Sequence, residues 1–413
     1  MVVRRRPMVE HRQPPPSGKM RRRSLDFPAK LAEDRSMALL IPADEQAQRD
    51  NNFDAIRLAM ALLVVWSHSF ALWYHSEANE WISLAMAGTY NAGNLGVLAF
   101  FAISGFLITA SWQRSRSWRS YLKRRVARIY PGYLVAVTLC SLVIVPAFSS
   151  RGFGELRGGE LAGLFSNLLL KNYIIPSDAF GGGAVNGSLW SIPYEFWCYL
   201  GVMALGVAGL LGRRPVYPLI AAGVMAVRVW LDITGRHPAG GWLQPIIGVA
   251  YFWFNVLPPF VLGGAAYIWC DRIPRSGWLL AMLVAVTMVA AHLPLPDPLR
   301  LVLTRLMLPP TLVYAVLYLA FHPRLRMGDA ARYGDFSYGT YLYAFPVQQM
   351  LAVLLRGKMA FPVYLGAAMV CSLAAGVASW YLVERWFLPR IRSGARREKD
   401  ARPLAEEATL VAP

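Results

Sequence analysis

Long apolar stretches recur along the chain between residues 51 and 390, and short polar segments separate them. Each stretch is about 16–25 residues long, which is the length of a helix that crosses a hydrocarbon core of roughly 30 Å. One such stretch could be a buried core helix, but about ten of them predict an all-α integral membrane protein. The predicted transmembrane helices are 55–74, 95–112, 131–148, 189–211, 216–231, 246–270, 278–293, 300–321, 336–355 and 362–388.

Arginine and lysine are concentrated in alternate loops. The segments 113–128, 212–215, 271–276 and 322–335 are basic, as is the chain from Arg390 onward, whereas the loops between them are nearly neutral. Cytoplasmic loops carry the excess of positive charge in membrane proteins. The pattern predicts that both termini are cytoplasmic and that the protein crosses the plasma (inner) membrane several times. An even number of helices agrees with this orientation.

The composition supports the same class of protein. Hydrophobic residues make up 56% of the chain and charged residues only 16%, against about 25% charged residues in soluble domains. The chain has a net charge of +18, and its basic residues flank the apolar stretches. The expected partner is therefore membrane lipid rather than nucleic acid. Four cysteines lie inside apolar stretches without metal-ligand spacing; they are interpreted as packing residues, and no metal site is predicted.

Three regions are expected along the chain. Residues 1–50 are basic and rich in proline, which is typical of a disordered cytoplasmic tail. Residues 51–390 form the ten-helix membrane domain, and 391–413 form a second cytoplasmic tail. The long loop 149–188 contains an amphipathic stretch followed by a glycine-rich segment. It could be an interfacial helix with a flexible turn, or a wall over an acceptor site.

The first predicted helix contains two ionisable residues, Arg57 and His68. Eleven helical residues complete three turns plus about 20°, so the two side chains share one face and lie about 16 Å apart along the axis. The predicted orientation puts Arg57 near the cytoplasmic rim and His68 in the outer half of the bilayer. Ionisable residues at that depth are costly and are candidates for function. A histidine that only fills space in the core remains an alternative.

Glu195 lies about six residues into the fourth predicted helix, which starts within the segment NGSLWSIPYEFWCYL. Counting from the outer end of this helix puts the carboxylate about 9 Å deep, in the same layer as His68. A carboxylate that orients an imidazole is a common arrangement for general base catalysis. His68 and Glu195 are therefore the candidate catalytic residues, and a structural ion pair or hydrogen bond is the alternative.

Two arginines form a third candidate group on the cytoplasmic side. Arg125 and Arg128 lie three residues apart in RRVARIYP, so they share one helical face. Forked guanidinium donors bind phosphate groups well, and Arg57 is expected near the same rim. These three arginines are the candidate donor-binding residues, although simple positive-inside anchoring would also explain them. Ser337, Tyr338 and Glu384 lie near this rim, and no direct role is predicted for them.

Several of these segments together resemble one family. FDAIRLAMALLVVWSH with its Arg-x10-His spacing, FFAISGFLI, RRVARIYP, NGSLWSIPYEFWCY, SYGTYLYAFP and YLVER occur in order between about residues 53 and 388. The chain is similar to integral membrane O-acyltransferases of the acyltransferase-3 type, which modify polysaccharides, lipopolysaccharide O-antigen, Nod factors and macrolides. Two positions depart from the family pattern. Ala344 stands where many relatives have a histidine, and Trp386 where they have a proline.

The resemblance implies an enzyme that moves an acyl group, with acetyl the first candidate, from cytoplasmic acyl-CoA to a hydroxyl of a surface or exported polysaccharide or a lipid-linked sugar. It implies no permanently bound cofactor. It makes His68 the catalytic base or acyl carrier and matches Glu195 to an acidic position after SLW. It also implies that the acyl-CoA donor is bound by Arg57, Arg125 and Arg128. It also assigns Ser104, Gly105 and Phe106 to close helix packing. The alternatives are acylation of a small product such as a macrolide, or a transporter, for which Pro258–Pro259 and Pro309–Pro310 are a weak hint.

Overall fold

The computed structural model describes residues 39–42, 51–155, 166–171, 178–325, 327 and 332–388. This part of the chain is helical, and its only strand-like pairing is an isolated β-bridge between Leu39 and Pro274. The predicted tails fall outside the described residues except for 39–42, and so does most of the amphipathic stretch in the loop 149–188. Within 39–42, Leu40 and Ile41 are buried in a hydrophobic cluster with Phe53.

Ten helices of 16 or more residues follow one another in the described part of the chain. In chain order they are α1 Phe53–Tyr74, α2 Ala92–Gln113, α3 Trp118–Leu139, α4 Ser191–Val207, α5 Val216–Thr234, α6 Ala250–Ile268, α7 Gly277–His292, α8 Asp297–Ala320, α9 Ser337–Leu355 and α10 Phe361–Leu382. Each overlaps one predicted helix. Three of them begin with a side-chain cap, which is Asn91 before α2, Ser117 before α3 and Ser276 before α7.

The largest error in the predicted boundaries concerns α3. The prediction began at residue 131, but the helix begins at Trp118 and continues through a π-helical segment, Cys140–Ile144, to Phe148, a span of 31 residues. Its first half is rich in arginine and lysine, which lowers the mean hydropathy and hides the helix from a search for apolar stretches. The basic segment predicted as a loop therefore belongs mostly to α3.

Among the described residues, six helical segments are long and apolar enough to cross a membrane. They are Phe53–Tyr74, Ala92–Gln113, Trp118–Phe148, Val216–Thr234, Asp297–Ala320 and Phe361–Trp386, and a seventh arises if Gly241–Ile247 and α6, which meet at 46°, count as one span. Helices α4 and α7 have 17 and 16 residues, below the roughly 20 that a bilayer requires. The number of about ten transmembrane helices therefore stays a prediction.

The two proline pairs do not break their helices. Pro258 and Pro259 lie inside α6, and Pro309 and Pro310 lie inside α8, and both helices run on through them. The bend before α6 instead lies between Ile247 and Ala250, where Gly248 has a φ of 79°. The weak hint of broken transporter helices at the prolines is therefore not supported.

Helix α2 is the centre of the bundle and packs against α1, α4, α6 and α8. At the crossing of α2 with α6 the two backbones are in direct contact. A Cβ atom at Gly105 would lie 1.9 Å from the carbonyl oxygen of Phe260, and a Cβ atom at Gly263 would lie 2.2 Å from the carbonyl oxygen of Ala102. Small residues permit such close approach of helices in membranes. The predicted packing role of Gly105 is confirmed.

The helix ends lie on two faces of the bundle. At the first, here named the basic face, Asn52 before α1 donates to the Leu319 carbonyl in α8 at 3.0 Å. Arg214 before α5 binds Asp271 after α6 there at 2.6 Å. At the other, here named the opposite face, Arg356 after α9 lies 3.1 Å from the His75 ring nitrogen after α1. These contacts pair the helix ends as the alternation of basic and neutral loops requires.

Candidate active site

Two of the predicted arginines meet on one carboxylate at the basic face. Arg57 lies in the first turns of α1, Arg128 lies in the basic half of α3, and Asp335 lies two residues before α9. Arg57 Nη1 binds Asp335 Oδ2 at 2.6 Å, and Arg128 Nη2 donates to the same oxygen. The other oxygen, Oδ1, accepts from the Ser337 hydroxyl at 2.5 Å and from its backbone N–H at 3.2 Å. Asp335 thus joins three helices.

The environment of Asp335 favours its ionised form. Burial disfavours the charge, but the guanidiniums of Arg128 and Arg57 and the hydrogen bonds from Ser337 outweigh it. The pKa of this carboxyl group therefore lies well below its ordinary value. Asp335 stays charged at physiological pH and fixes both arginines in place.

Arg128 also faces a second carboxylate. Its Nη1 lies 4.0 Å from Glu384 Oε2 at the end of the last helix, and its guanidinium lies 5.7 Å from the centre of the Tyr338 ring. The Glu384 side chain is only 2% exposed, and its Oε1 accepts from Ser379 at 2.8 Å. Glu384 and Ser337, for which no direct role was predicted, therefore form part of the environment of the donor-site candidates.

Arg125 has a different environment from Arg128. Its guanidinium lies 5.9 Å from the ring centres of both Tyr121 and Tyr199. Its buried Nε atom has no hydrogen-bond partner in the described part of the chain. An uncompensated guanidinium between aromatic rings is suited to a ligand anion, because its donors are not already used by a carboxylate.

Glu195 lies next to Tyr199 and Ser104 rather than next to the histidine. Its Oε1 accepts from the Tyr199 hydroxyl at 2.5 Å and from the Ser104 hydroxyl of α2. Tyr199 in turn presents its ring to Arg125. Glu195, Tyr199 and Arg125 thus form a continuous polar group in the interior of the bundle.

His68 lies in the half of α1 near the opposite face. Its ring packs edge-on against Phe345 of α9, with ring centres 5.1 Å apart, and its Nδ1 is buried without a hydrogen-bond partner among the described residues. A Cβ atom at Gly187 would lie 2.7 Å from the same Phe345 ring. The imidazole therefore lies beside the entry of α4 and has a free nitrogen for a substrate hydroxyl or an acyl group.

The predicted layer that holds both His68 and Glu195 is wrong. A Cβ atom at Gly93 would lie 3.0 Å from Ser67 Oγ, whereas Glu195 binds Ser104. Gly93 and Ser104 are both in α2 and eleven residues apart, which is about 16 Å along the axis. The physical reason is that a 3₁₀ turn, Gly187–Trp190, precedes α4 and carries the chain into the bundle before α4 begins. Glu195 is therefore deeper than a count from the helix end indicates.

A buried carboxylate near the opposite face was missed. Glu80 is 0% exposed, and its oxygens accept from Trp66 Nε1 at 2.9 Å and from the backbone N–H groups of Ile82, Ser83 and Ala92 at 2.9–3.1 Å. It ties the segment after α1 to the start of α2. No signal in the sequence marks Glu80, because glutamate is not among the residues preferred at helix N-caps.

Glu77 joins the same segment to the His68 region. It accepts from Ser67 at 3.2 Å and from the Asn91 side chain. Burial raises the pKa of Glu77, the hydrogen bonds from Ser67 and Asn91 lower it, and the nearby Glu80 charge raises it; the net change is upward. These contacts hold the segment between α1 and α2 over the end of the bundle where His68 lies.

Comparisons with known proteins agree with the motifs. A family model for the acyltransferase domain of the acyltransferase-3 type matches residues 50–381. The chain is 28% identical over 355 residues to an O-acetyl transferase of Shigella phage Sf6, covering 83% of this chain and 97% of that protein. It is 28% identical over 305 residues to acyltransferase MdmB of Streptomyces mycarofaciens, covering 69% and 76%.

A third relative is nodulation protein 10 of Rhizobium leguminosarum bv. viciae, which is 26% identical over 375 residues, covering 83% of this chain and 95% of that protein. No solved structure matches the chain. The matched domain contains Arg57, His68, Arg125, Arg128 and Glu195. The chain belongs to the acyltransferase-3 family, and it is a multi-pass membrane acyltransferase.

Proposed function

We propose that the protein moves an acyl group, with acetyl the first candidate, from acyl-CoA at the basic face to a sugar hydroxyl at the opposite face. The acceptor is a surface or exported polysaccharide or its lipid-linked precursor. The basic face is cytoplasmic in this proposal, in the plasma (inner) membrane, because arginine and lysine collect on that side. The observation that carries the proposal is the position of Arg57 and His68 near the two ends of the single helix α1.

The phosphates of acyl-CoA bind the arginines of the basic face. Arg125 is the first contact, because its Nε has no partner in the described structure, whereas Arg57 and Arg128 are already paired with Asp335. Asp335 positions these two guanidiniums, and their remaining N–H groups bind the acyl-CoA phosphates in this proposal. Arg57 and His68 are about 16 Å apart along α1, a distance that an extended pantetheine arm is long enough to bridge.

The transfer itself forms one bond and breaks another. The sugar hydroxyl oxygen attacks the thioester carbon, the new C–O bond forms, the C–S bond breaks, and the CoA thiolate leaves and takes up a proton. His68 accepts the hydroxyl proton through its free nitrogen. In the alternative route His68 first takes the acyl group and then transfers it to the sugar. Glu195 acts through Tyr199 and Ser104, which it binds, as a positioning residue along the path.

The relatives' names are consistent with this chemistry, since one is an O-acetyl transferase. The test is proton NMR of extracellular polysaccharide from a deletion strain complemented with wild type, His68→Ala or Arg125→Ala. His292→Ala is the matched histidine control, because His292 is exposed at the end of α7. Each variant is first shown to reach the membrane.

The expected result is an O-acyl signal with wild type and His292→Ala, and its loss with His68→Ala. Full restoration by His68→Ala would contradict the proposed mechanism. A polysaccharide that does not change on deletion would contradict the polysaccharide acceptor and favour the small-product alternative. The acyl resonance that disappears identifies the transferred group.

A further inference from the structure

A second group of buried charges lies near the opposite face, between α5, α6 and α8. Arg228 Nε binds Asp232 Oδ2 at 2.8 Å, and Arg305 Nη1 binds Asp232 Oδ1 at 2.5 Å. The Tyr251 hydroxyl lies 3.2 Å from both guanidiniums, and Asn255 accepts from Arg228. None of these residues was predicted to have a role, and none belongs to the donor or His68 sites.

This group has an excess of one positive charge. Two arginines share one aspartate, whose side chain is 1% exposed, while those of Arg228 and Arg305 are 6% and 19% exposed. The next acidic residue along α8, Asp297, binds Arg300 at 2.7 Å. A buried pair alone could serve packing, but an additional cation within a membrane-spanning bundle is costly and indicates function.

The extra charge is concentrated on one edge of Arg305. Its two hydrogen bonds, to Asp232 and Tyr251, both use Nη1. In the described part of the chain, Nη2 and Nε of Arg305 have no hydrogen-bond partner. Neither atom is fully enclosed by protein. Asp232 thus holds the guanidinium by one nitrogen and leaves a two-donor edge accessible. Such an edge binds phosphate oxygens in pairs.

The cavity among these residues limits where a ligand can bind. It measures about 10 Å³ and is lined by Tyr90, Arg228, Asp232, Asn255 and Arg305, among others. That volume holds no more than about one water molecule, so a phosphate must bind outside it, at the edge of Arg305. Arg305 is eight residues into α8, about 12 Å from its start, and a long arginine side chain reaches toward the headgroup region from such a depth.

The position of this edge relates it to the proposed acceptor path. Tyr90 lines the cavity and lies two residues before α2, while Gly93 in the first turn of α2 packs against Ser67, next to His68. The cavity and the catalytic candidate thus lie on two sides of the same helical turn. Packed helices are separated by about 8–10 Å, so α1 and α8 on the two sides of α2 are roughly 16–20 Å apart, a span that an oligosaccharide attached to a phosphate can bridge.

We propose that Arg305, held by Asp232 and Tyr251, binds the phosphate group of a lipid-linked sugar acceptor at the opposite face. The proposal rests on the proposed function for the identity of the acceptor. It assigns Arg228 the task of holding Asp232, and it places the sugar over the start of α2, toward His68. The site takes a phosphate ester, and the hydrocarbon chain lies in the surrounding lipid.

The test is direct binding to the purified full-length protein in detergent, which needs no catalysis. Radiolabelled farnesyl phosphate is titrated into wild type, Arg305→Gln, Arg305→Lys and Arg236→Gln. Arg236 is the matched control, because it is exposed just beyond α5 and contacts only Trp230 among aromatic rings of the described chain. We expect saturable binding to wild type and Arg236→Gln, binding at least about 10-fold weaker to Arg305→Gln, and an intermediate Kd for Arg305→Lys, which retains charge without the fork.

Competition identifies the source of the phosphate. Unlabelled farnesyl phosphate should compete, whereas farnesol, inorganic phosphate and phosphatidylglycerol should not. Equal competition by phosphatidylglycerol would overturn the acceptor assignment in favour of an ordinary lipid headgroup. Competition by excess CoA would overturn the separation of the two sites. If Arg305→Gln does not fold, equal binding of farnesyl phosphate and farnesol to wild type still overturns the proposal.

Binding and activity fail independently. A protein that binds farnesyl phosphate through Arg305 but transfers no acyl group would contradict the proposed function and keep the phosphate site. A protein that acylates polysaccharide while Arg305→Gln binds farnesyl phosphate as wild type does would contradict the site alone.

Discussion

Arg57 Nη1 binds Asp335 Oδ2 at 2.6 Å, across 278 residues of sequence. This ion pair joins the first helix to the ninth at the basic face. Because Arg128 of α3 binds the same oxygen, removal of one carboxylate would leave two partly buried guanidiniums facing each other. Asp335 therefore contributes to stability and to the placement of the donor-site candidates.

Asp335→Asn should destabilise the protein by about 3 kcal/mol at neutral pH, since it leaves Arg57 and Arg128 with only the more distant carboxylates of Asp54 and Glu384, each at 4.0 Å. The folded-state pKa of Asp335 is depressed, so its contribution is complete above the ordinary aspartate pKa of about 4 and is lost as pH falls through the depressed value. The difference in Tm between wild type and the variant should be constant between pH 7 and pH 5 and should shrink below about pH 4. Thermal unfolding in detergent at several pH values measures it.

Asp271→Asn is the matched control for this prediction. Asp271 also pairs with an arginine at the basic face, but the Asp271 and Arg214 side chains are 30% and 37% exposed. Such a pair contributes about 0–1 kcal/mol. A loss of stability for Asp335→Asn no greater than that for Asp271→Asn would contradict the assigned role of Asp335.

Arg125→Ala should raise the KM for acyl-CoA by about 10-fold to 100-fold, which corresponds to the loss of a hydrogen bond to a charged group worth about 1.5–3 kcal/mol. Arg119→Ala should leave it within about twofold, because Arg119 is exposed on the other side of α3. The measurement is transfer of labelled acetyl groups by membrane vesicles at varied acetyl-CoA concentration. An unchanged KM in Arg125→Ala would remove this residue from the donor site.

Glu195 should couple to Tyr199 and not to His68. The Tyr199 hydroxyl donates to Glu195 at 2.5 Å, whereas His68 packs on Phe345 at another depth. In double-mutant cycles of unfolding free energy, Glu195→Gln with Tyr199→Phe should show an interaction of about 1 kcal/mol, and Glu195→Gln with His68→Gln should be additive within about 0.5 kcal/mol. Strong coupling in the second cycle would restore the predicted His68–Glu195 pair.

Gly105→Ala should abolish folding or reduce the yield of folded protein severely. Its Cβ would lie 1.9 Å from the Phe260 carbonyl oxygen, and backbone cannot move aside as a side chain can. Gly201→Ala is the matched control, because a Cβ there meets nothing within 4 Å and alanine is the better helix former. Size-exclusion profiles and Tm values of the purified variants decide the comparison, and a normal Tm for Gly105→Ala would contradict the α2–α6 contact.

Much of the fold follows from hydropathy because a membrane helix is defined by its length and composition. The ten described helices overlap the ten predicted ones for this reason. The start of α3 was missed because its first turns are amphipathic and basic, and only tertiary packing shows that Tyr121 is buried there, with its hydroxyl bound to the Tyr199 carbonyl at 3.1 Å. Counting residues from a helix end also misplaced Glu195, since the 3₁₀ turn before α4 is invisible to hydropathy.

The site is only partly readable from sequence. Arg57, Arg125 and Arg128 could be brought together from helix periodicity and loop charge, and the structure places Arg57 and Arg128 on one carboxylate. Asp335 could not be foreseen as that partner, because it lies in a segment read as a basic loop. Arg228 and Asp232 are four residues apart on α5, so helix periodicity could have paired them, but Arg305 lies on another apolar stretch and only helix packing brings it to Asp232.

Helix α1 runs without a break from Phe53 to Tyr74, so the distance between Arg57 and His68 is fixed by the helix geometry. The span of about 16 Å cannot adapt to the donor by bending at a hinge. A carrier arm much shorter than pantetheine would leave its thioester below the imidazole, and a bulky acyl group would extend beyond it toward Phe345. In the proposed function, the length of this one helix is therefore a criterion for which donors the enzyme can use.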